Sequence, residues 1–446
     1  MSPIEQVIKR SGAVVPFNPE RITNAIYRAA IAVGGRDRST AEALTADVIC
    51  LLEENSPAHH IPTIEEIQDA VEKVLIERGH AKVAKAYILY RDERARARQE
   101  RARLAALPSE NIPCAKIWHV LDWSITHNLH TTEALNARLA NGDLPEIIRL
   151  SEAAYNEDIE NAVEMIALRR EQVRVIIITG PSSSGKTTST IKIGQRLQHL
   201  GLRLVTLNVD NYYFDLALQP RDEFGDYDFE TPQALDLALL NHHLERLIAG
   251  EQVRIPFYDF KQGKRFDERT SLQIGPNELI LIDSLHGLYP DMTGSIPDSQ
   301  KFKVYLEPLL QMKTPSGDYI RWTDIRLMRR MLRDAVHRAY DPRQTLEHWH
   351  YVRTSEKRNI LPYIGQANYI VNSAMPYELC IYRARLFEQF QQWRADYRGD
   401  PLRQDAQERA ERVAGVLQSF TPIADDSPVP ADSVLREFIG GSIYHG

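Results

Sequence analysis

The stretch IIITGPSSSGKTTST, residues 176–190, concentrates the side chains best suited to chemistry. Gly180, Gly185, Lys186 and Thr187 fit G-x-x-x-x-G-K-S/T, a spacing that lets a loop curl its backbone N–H groups inward around phosphate oxygens. An apolar run precedes the loop and a helix-compatible run begins at Lys186, so the positive end of a helix adds to the anion site. Ser182, Ser183, Ser184 and Thr188 complete the expected cradle. Lys186 is expected to reach the β/γ-phosphates of a nucleotide and the Thr187 hydroxyl to reach Mg2+.

In open parallel sheets ligands bind beyond the carboxyl ends of the strands, so an acid that ends a strand there is aimed at the site. Asp283 ends ELILID and is the natural Mg2+ carboxylate. Asp210 ends RLVTLNVD and opens DNYYFD, where Tyr212 and Tyr213 follow. An acid there, with aromatics to pack a flat ligand, reads as a base that accepts a proton from a substrate hydroxyl. Simple turn capping is the plainer reading of the same aspartate. His286, just past Asp283, is expected to be structural or to form part of the pocket wall beside the substrate.

These residues need a parallel sheet behind them, and the chain changes rhythm at Val173 to short apolar runs alternating with helical patterns. VRVIIIT, RLVTLNVD, ELILID, KFKVYLE and YIVNS read as strands, TTSTIKIGQRLQHL and WTDIRLMRRMLRDAVHR as helices. The fold expected is α/β, a P-loop NTPase-type parallel sheet with crossover helices, behind a mainly helical N-terminal domain. In that domain Ile64, Ile67, Val71, Val74 and Leu75 fall at helix spacing, with Gly79 as C-cap. The divisions expected are 1–95, a helical linker region 96–170, the α/β domain 171–394 and a polar tail 395–446. The run RDERARARQERAR, residues 91–103, reads as a solvated helix face.

Composition narrows the function. The chain has 446 residues, 43% hydrophobic and 26% charged, enough for two or three cored domains. With 54 basic and 61 acidic residues it carries −7, which argues against a nucleic-acid partner. Its three cysteines, Cys50, Cys114 and Cys380, are far apart with no C-x-x-C pair, so neither a disulfide framework nor a zinc ribbon is indicated. No stretch has the apolar length of a membrane span or signal peptide, so a cytoplasmic protein with no membrane partner is expected.

Taken together, GPSSSGKTT, DNYY, YDFETPQALD, RIPFYDF and RLMRRMLRD resemble, in order and spacing, the uridine kinase and phosphoribulokinase-like P-loop kinases over about residues 173–390. The resemblance implies an ATP-dependent kinase using Mg2+, with uridine or cytidine as acceptor and Asp210 as catalytic base. Tyr213, Phe229, Glu230, Tyr258 and Phe260 would then face the nucleoside. Arg330, Arg333 and Arg338 would belong to the helix and lid over the phosphates, Arg333 and Arg338 catalytic with Lys186. Two departures stand out. Asp283-Ser284 replaces the usual Glu-Gly, which would route metal contact through water, and Glu230 replaces an Asp beside the sugar. A sugar phosphate or small alcohol as acceptor, or a non-enzymatic nucleotide-responsive regulator, are the alternatives. The aromatics favour a flat base, and Asp210 argues against a mere sensor.

VIKRSGAVVPFNPERITNAIYRAA and VAKAYILYR resemble an ATP-cone over about residues 5–93, the nucleotide-sensing module of ribonucleotide reductases. That resemblance implies an allosteric nucleotide site at Val7, Lys9, Arg10, Asn18 and Arg21, basic groups meeting phosphates. It also implies ATP and dATP as effectors and a homo-oligomer whose assembly responds to them.

Overall fold

The computed structural model describes residues 4–8, 14–35, 37–55, 61–91, 111–220, 230–337, 341–398 and 403–444. The chain divides into two units, Met1–Ser109 and Glu110–Gly446.

In the first unit β1 (Gln6–Ile8) pairs antiparallel with β2 (Val14–Pro16). Helices α1 (Pro19–Ala32), α2 (Arg38–Asn55), α3 (Ile64–Glu77) and α4 (residues 81–91) follow. Proline at the first turn and the Asn18 cap start α1, and a reciprocal capping box between Thr63 and Glu66 starts α3. Ile26, Val48, Val71 and Leu75 close the core at 1% exposure or less. Gly79 follows α3 at φ +80°, the left-handed turn expected of it. Arg91 pairs with Asp69 and Glu72 at 2.6 and 2.7 Å, and the rest of the arginine run lies outside the described residues.

The second unit is built on a five-stranded sheet in the order β4-β7-β3-β8-β9. Its strands are β3 (Val175–Thr179), β4 (Arg203–Asn208), β7 (Glu278–Ser284), β8 (Lys301–Glu307) and β9 (Tyr369–Asn372), all paired in parallel. β5 (Val253–Asp259) and β6 (Lys264–Leu272) form a separate antiparallel hairpin, which the alternating pattern does not announce. Every residue of β3 is buried, because both sheet faces are covered. Ile176 and Ile178 face a core shared with α7 (Leu144–Leu168) and α8 (Lys186–His199). Val175 and Ile177 face the opposite core, shared with α9 (Leu237–Ile248).

The helices ahead of the sheet, α5 (Cys114–Thr126), α6 (Thr132–Ala140) and α7, belong to this body: Tyr155, Ile159, Val163 and Ile166 share the core of β3. Beyond β8 come α10 (Trp322–His337) and α11 (Pro342–Asn359), then α12 (Glu378–Asp396), α13 (Gln404–Gln418) and the short α14 (Arg436–Ile439). The terminal segment is polar in composition, yet Val413, Leu417, Val434, Leu435 and Phe438 are completely buried in the main core. Among the described residues no helix is long and apolar enough to cross a membrane.

Candidate active site

The loop between β3 and α8 has the backbone its sequence demands. Gly180 must be glycine because a Cβ there would lie 2.3 Å from the Leu306 carbonyl oxygen. Gly185 caps α8 at φ +89°, a left-handed conformation that side chains avoid. Ser183 takes φ +60°, and its hydroxyl and that of Ser184 are buried without a hydrogen-bond partner. Buried orphan hydroxyls in a strained loop at a helix N-terminus fit a site made for an anion. Ser182 presents its carbonyl and hydroxyl to two arginines of α10.

The Lys186 ammonium donates to the carbonyls of Gly180 and Pro181 at 2.9 and 3.1 Å. Desolvation pushes its pKa down, with the Asp283 carboxylate pulling the other way. Burial raises Asp283 to about 6 against that same ammonium, and Glu437 and Asp210 add to the rise. Asp210 lies just past β4, in a short 3-10 turn capped by Asn208, whose side chain accepts from the Asp210 N–H at 3.0 Å. Its carboxyl is open to solvent, yet the surrounding protein raises its pKa by desolvation, opposed by Lys186. Lys186 therefore feels both strand-end acids, the convergence expected beyond the strand ends.

The aromatics converge too. The rings of Tyr213, Tyr258 and Phe260 form a cluster with centroids 4.9 to 5.9 Å apart. Tyr258 is buried, whereas Phe260 remains 66% exposed and so presents a free ring. The Tyr258 N–H donates to Asn211 at 3.3 Å, tying the hairpin to the Asp210 turn. Burial holds the Tyr213 hydroxyl protonated, reinforced by the nearby Asp210 and Glu230 charges. Arg330 joins the two halves, reaching the Ser182 hydroxyl at 3.2 Å and Glu230 at 3.4 Å. Arg333 lies 3.7 Å from Glu437. Phe229 and Arg338 fall outside the described residues.

Sequence reasoning passed over two buried arginines of α10, one of which braces the loop. Arg326 is 1% exposed, pairs with Glu307 at 2.8 Å and with Glu356 at 3.0 Å, and donates to the Ser182 carbonyl at 3.2 Å. Arg329 is fully buried against Glu378 and Ser373. The signal was present: RLMRRMLRD puts Arg326 and Arg330 one turn apart on one face. Their partners, Glu307, Glu356 and Glu378, lie far away in sequence.

His286 is 4% exposed, and the backbone of Glu230 is the group it approaches for hydrogen bonding. Burial, and then the Lys186 charge, push its pKa from 6.5 down to about 4. Below the ordinary histidine range the unfolded chain binds a proton that the native ring refuses, so this site loses stability as the pH falls from 6.5 to about 4. His286→Leu is expected to remove about 2 kcal/mol of the stability lost between pH ~7 and ~5, read by urea denaturation at both values. Equal losses in wild type and variant would mean that the ring is not held neutral.

For Mg2+ the protein offers the exposed Thr187 and the Asp283 carboxylate, which accepts from Thr190 at 3.4 Å. Among the described residues no group of three or more His, Cys, Asp or Glu could cage a metal. That donor set fits Mg2+, which keeps its waters and is held largely by substrate phosphates.

In the first unit Val7 lies on β1, paired with Val15, and Asn18 accepts from the Glu20 N–H at 2.9 Å as the cap of α1. Arg21 is exposed on α1. Lys9 and Arg10 lie outside the described residues.

A phosphate-binding loop between a central parallel strand and a helix, with acids at the neighbouring strand ends, defines a P-loop kinase. Residues 175–379 match the model of the phosphoribulokinase/uridine kinase family, and residues 5–96 that of the ATP cone domain. Uridine-cytidine kinase B of Dictyostelium discoideum is 29% identical over 198 residues, 44% of this chain and 73% of that one. The uridine kinase of Deinococcus deserti is 28% identical over 44% of this chain and 86% of that one. The uridine kinase of Borrelia turicatae is 30% identical over 40% of this chain and 75% of that one. A solved structure of a possible uridine kinase from Bacillus stearothermophilus aligns with TM-score 0.34 and 18% identity, covering 48% of this chain and 97% of that one. The chain belongs to the phosphoribulokinase/uridine kinase family and is an ATP-dependent kinase that also carries an ATP-cone.

Proposed function

We propose that the chain phosphorylates the 5′-hydroxyl of a nucleoside, uridine or cytidine, and that nucleotide binding at the ATP-cone regulates the reaction. The observation that carries this reading is that Asp210 lies within electrostatic reach of both Lys186 of the loop and Tyr213, whose ring clusters with Tyr258 and Phe260. It supplies a carboxylate beside the phosphate-binding lysine, with ring faces on which a flat base can stack.

The loop amides and the Ser183 and Ser184 hydroxyls hold the donor phosphates, and Thr187 with Asp283 are the residues that would hold Mg2+. When bound, the ion offsets phosphate charge. Asp210 accepts the proton of the acceptor hydroxyl as that oxygen attacks in line. Lys186, with Arg330 and Arg333 from α10 and Arg338 beyond the described residues, offsets charge on the transferred group. Glu230, held by Arg330, orients the sugar, and Phe229 and His286 complete the acceptor wall. A bare sugar phosphate would leave the aromatic cluster unused.

A screen of nucleosides and sugar phosphates with MgATP tests the assignment. Uridine or cytidine 5′-monophosphate is the expected product, and turnover confined to sugar phosphates or small alcohols would overturn it.

The regulatory half has a separate test. Coupling between two sites is typically ~1 to 3 kcal/mol, a several-fold to roughly hundredfold change in affinity. Lys9→Ala combined with Arg10→Ala is expected to flatten the response to ATP and dATP, and to change oligomer mass, while the rate at saturating substrates survives. Superimposable kinetics and mass at every effector concentration would mean that the cone does not regulate this kinase.

A further inference from the structure

The end of the chain reaches the phosphate-binding loop. Val434, Leu435 and Phe438 are completely buried, and Phe438 lies under the Arg329 guanidinium at 4.9 Å. Asp432 takes an ion pair from the buried Lys192 of α8 at 3.0 Å, and Ser433 is hydrogen bonded to Glu152. A Cβ on Gly185 would meet a Val434 methyl at 2.5 Å, so the segment lies directly on the loop's second glycine. Thus anchored, it delivers Glu437. One carboxylate oxygen accepts from both the N–H and the hydroxyl of Thr188, at 3.1 and 3.0 Å. The other lies 3.7 Å from the Arg333 guanidinium.

The position is one that favours an anion. The cap of α8 is Gly185, which has no side chain to satisfy the first-turn amides, so an outside anion must take them. On the proposed function, with which this inference stands or falls, the Thr188 amide and hydroxyl and the Arg333 guanidinium are phosphate ligands. A single carboxylate spans both, as a phosphate would. It does so close enough to Asp283 to help raise that carboxyl's pKa.

We propose that Glu437 is an internal anion occupying part of the donor phosphate site, and that it sets the affinity for the donor nucleotide. Bound phosphate takes over Thr188 and Arg333. The Glu437 side chain gives way by rotating, since its backbone is tethered by the buried residues on either side. The cost of breaking those charge-assisted contacts is subtracted from donor affinity.

The test is a titration of full-length protein with MgATP, comparing wild type, Glu437→Gln, Glu437→Ala and Lys186→Ala. The part of the binding lost in Lys186→Ala belongs to the loop, which separates it from any binding at the cone. For that part, Glu437→Gln and Glu437→Ala are expected to lower Kd by roughly three- to tenfold, the scale of a charged hydrogen bond released. The gain should shrink with added salt, as a lost repulsion does. Glu437→Gln keeps an acceptor for the Thr188 amide, so it tests the charge even if Glu437→Ala unfolds, and thermal unfolding without nucleotide reports folding. An unchanged or higher loop Kd in the folded Glu437→Gln variant would overturn the proposal and leave Glu437 as a helix cap. If Lys186→Ala binds like wild type, the donor-site reading itself fails.

Discussion

Asp210→Asn is expected to lower turnover by ~10²-fold or more while leaving MgATP binding close to wild type. On the proposed assignment the carboxylate takes the acceptor proton, and asparagine keeps the shape but cannot. The structure separates this from a capping role. What holds the Asp210 turn is the Asp210 backbone N–H donating to Asn208, which the substitution leaves intact. The surrounding protein raises the carboxyl's pKa by desolvation, opposed by Lys186, so no stability rests on the ionised form that asparagine would lose. The variant should therefore melt no lower than wild type. Near-normal turnover, or a marked fall in melting temperature, would identify Asp210 as a structural cap.

Lys186→Ala is expected to lose both functions, MgATP binding at the loop and turnover, the latter by about 10²- to 10³-fold. The ammonium lies across the loop, donating to the carbonyls of Gly180 and Pro181, and on the proposed function would be exchanged onto phosphate oxygens when a nucleotide binds. On that assignment it would contact phosphate before and during transfer, so Kd and turnover should suffer together, unlike in Asp210→Asn. The two variants form a pair, one blind to binding and one not. Equal MgATP binding by wild type and Lys186→Ala would place the donor elsewhere.

The sequence by itself determined the strands of the parallel sheet and the reactive strings. The strands β3, β4, β7, β8 and β9 are apolar runs because a parallel sheet covered on both faces needs them. The loop is legible because glycines, a lysine and a threonine at fixed spacing have few other uses. Asp210, Asp283 and Tyr213 were readable from their local strings, and Tyr258 and Phe260 only through the family resemblance.

Only the tertiary structure decided what stands behind those residues. Arg326 and Arg329 look like further charges on a basic helix, and become buried braces only because Glu307, Glu356 and Glu378 arrive from other elements. His286 became a neutral ring through burial, which no neighbour in sequence foretells. Glu437 lies 249 residues from Thr188 in a segment of polar composition, and meets it because a few apolar side chains carry the chain end into the core. Local pattern encodes what a residue can do through spacing along the backbone, over one turn or one strand. Burial and the pairing of charges across the sheet depend on contacts between distant segments, and those exist only once the chain has folded.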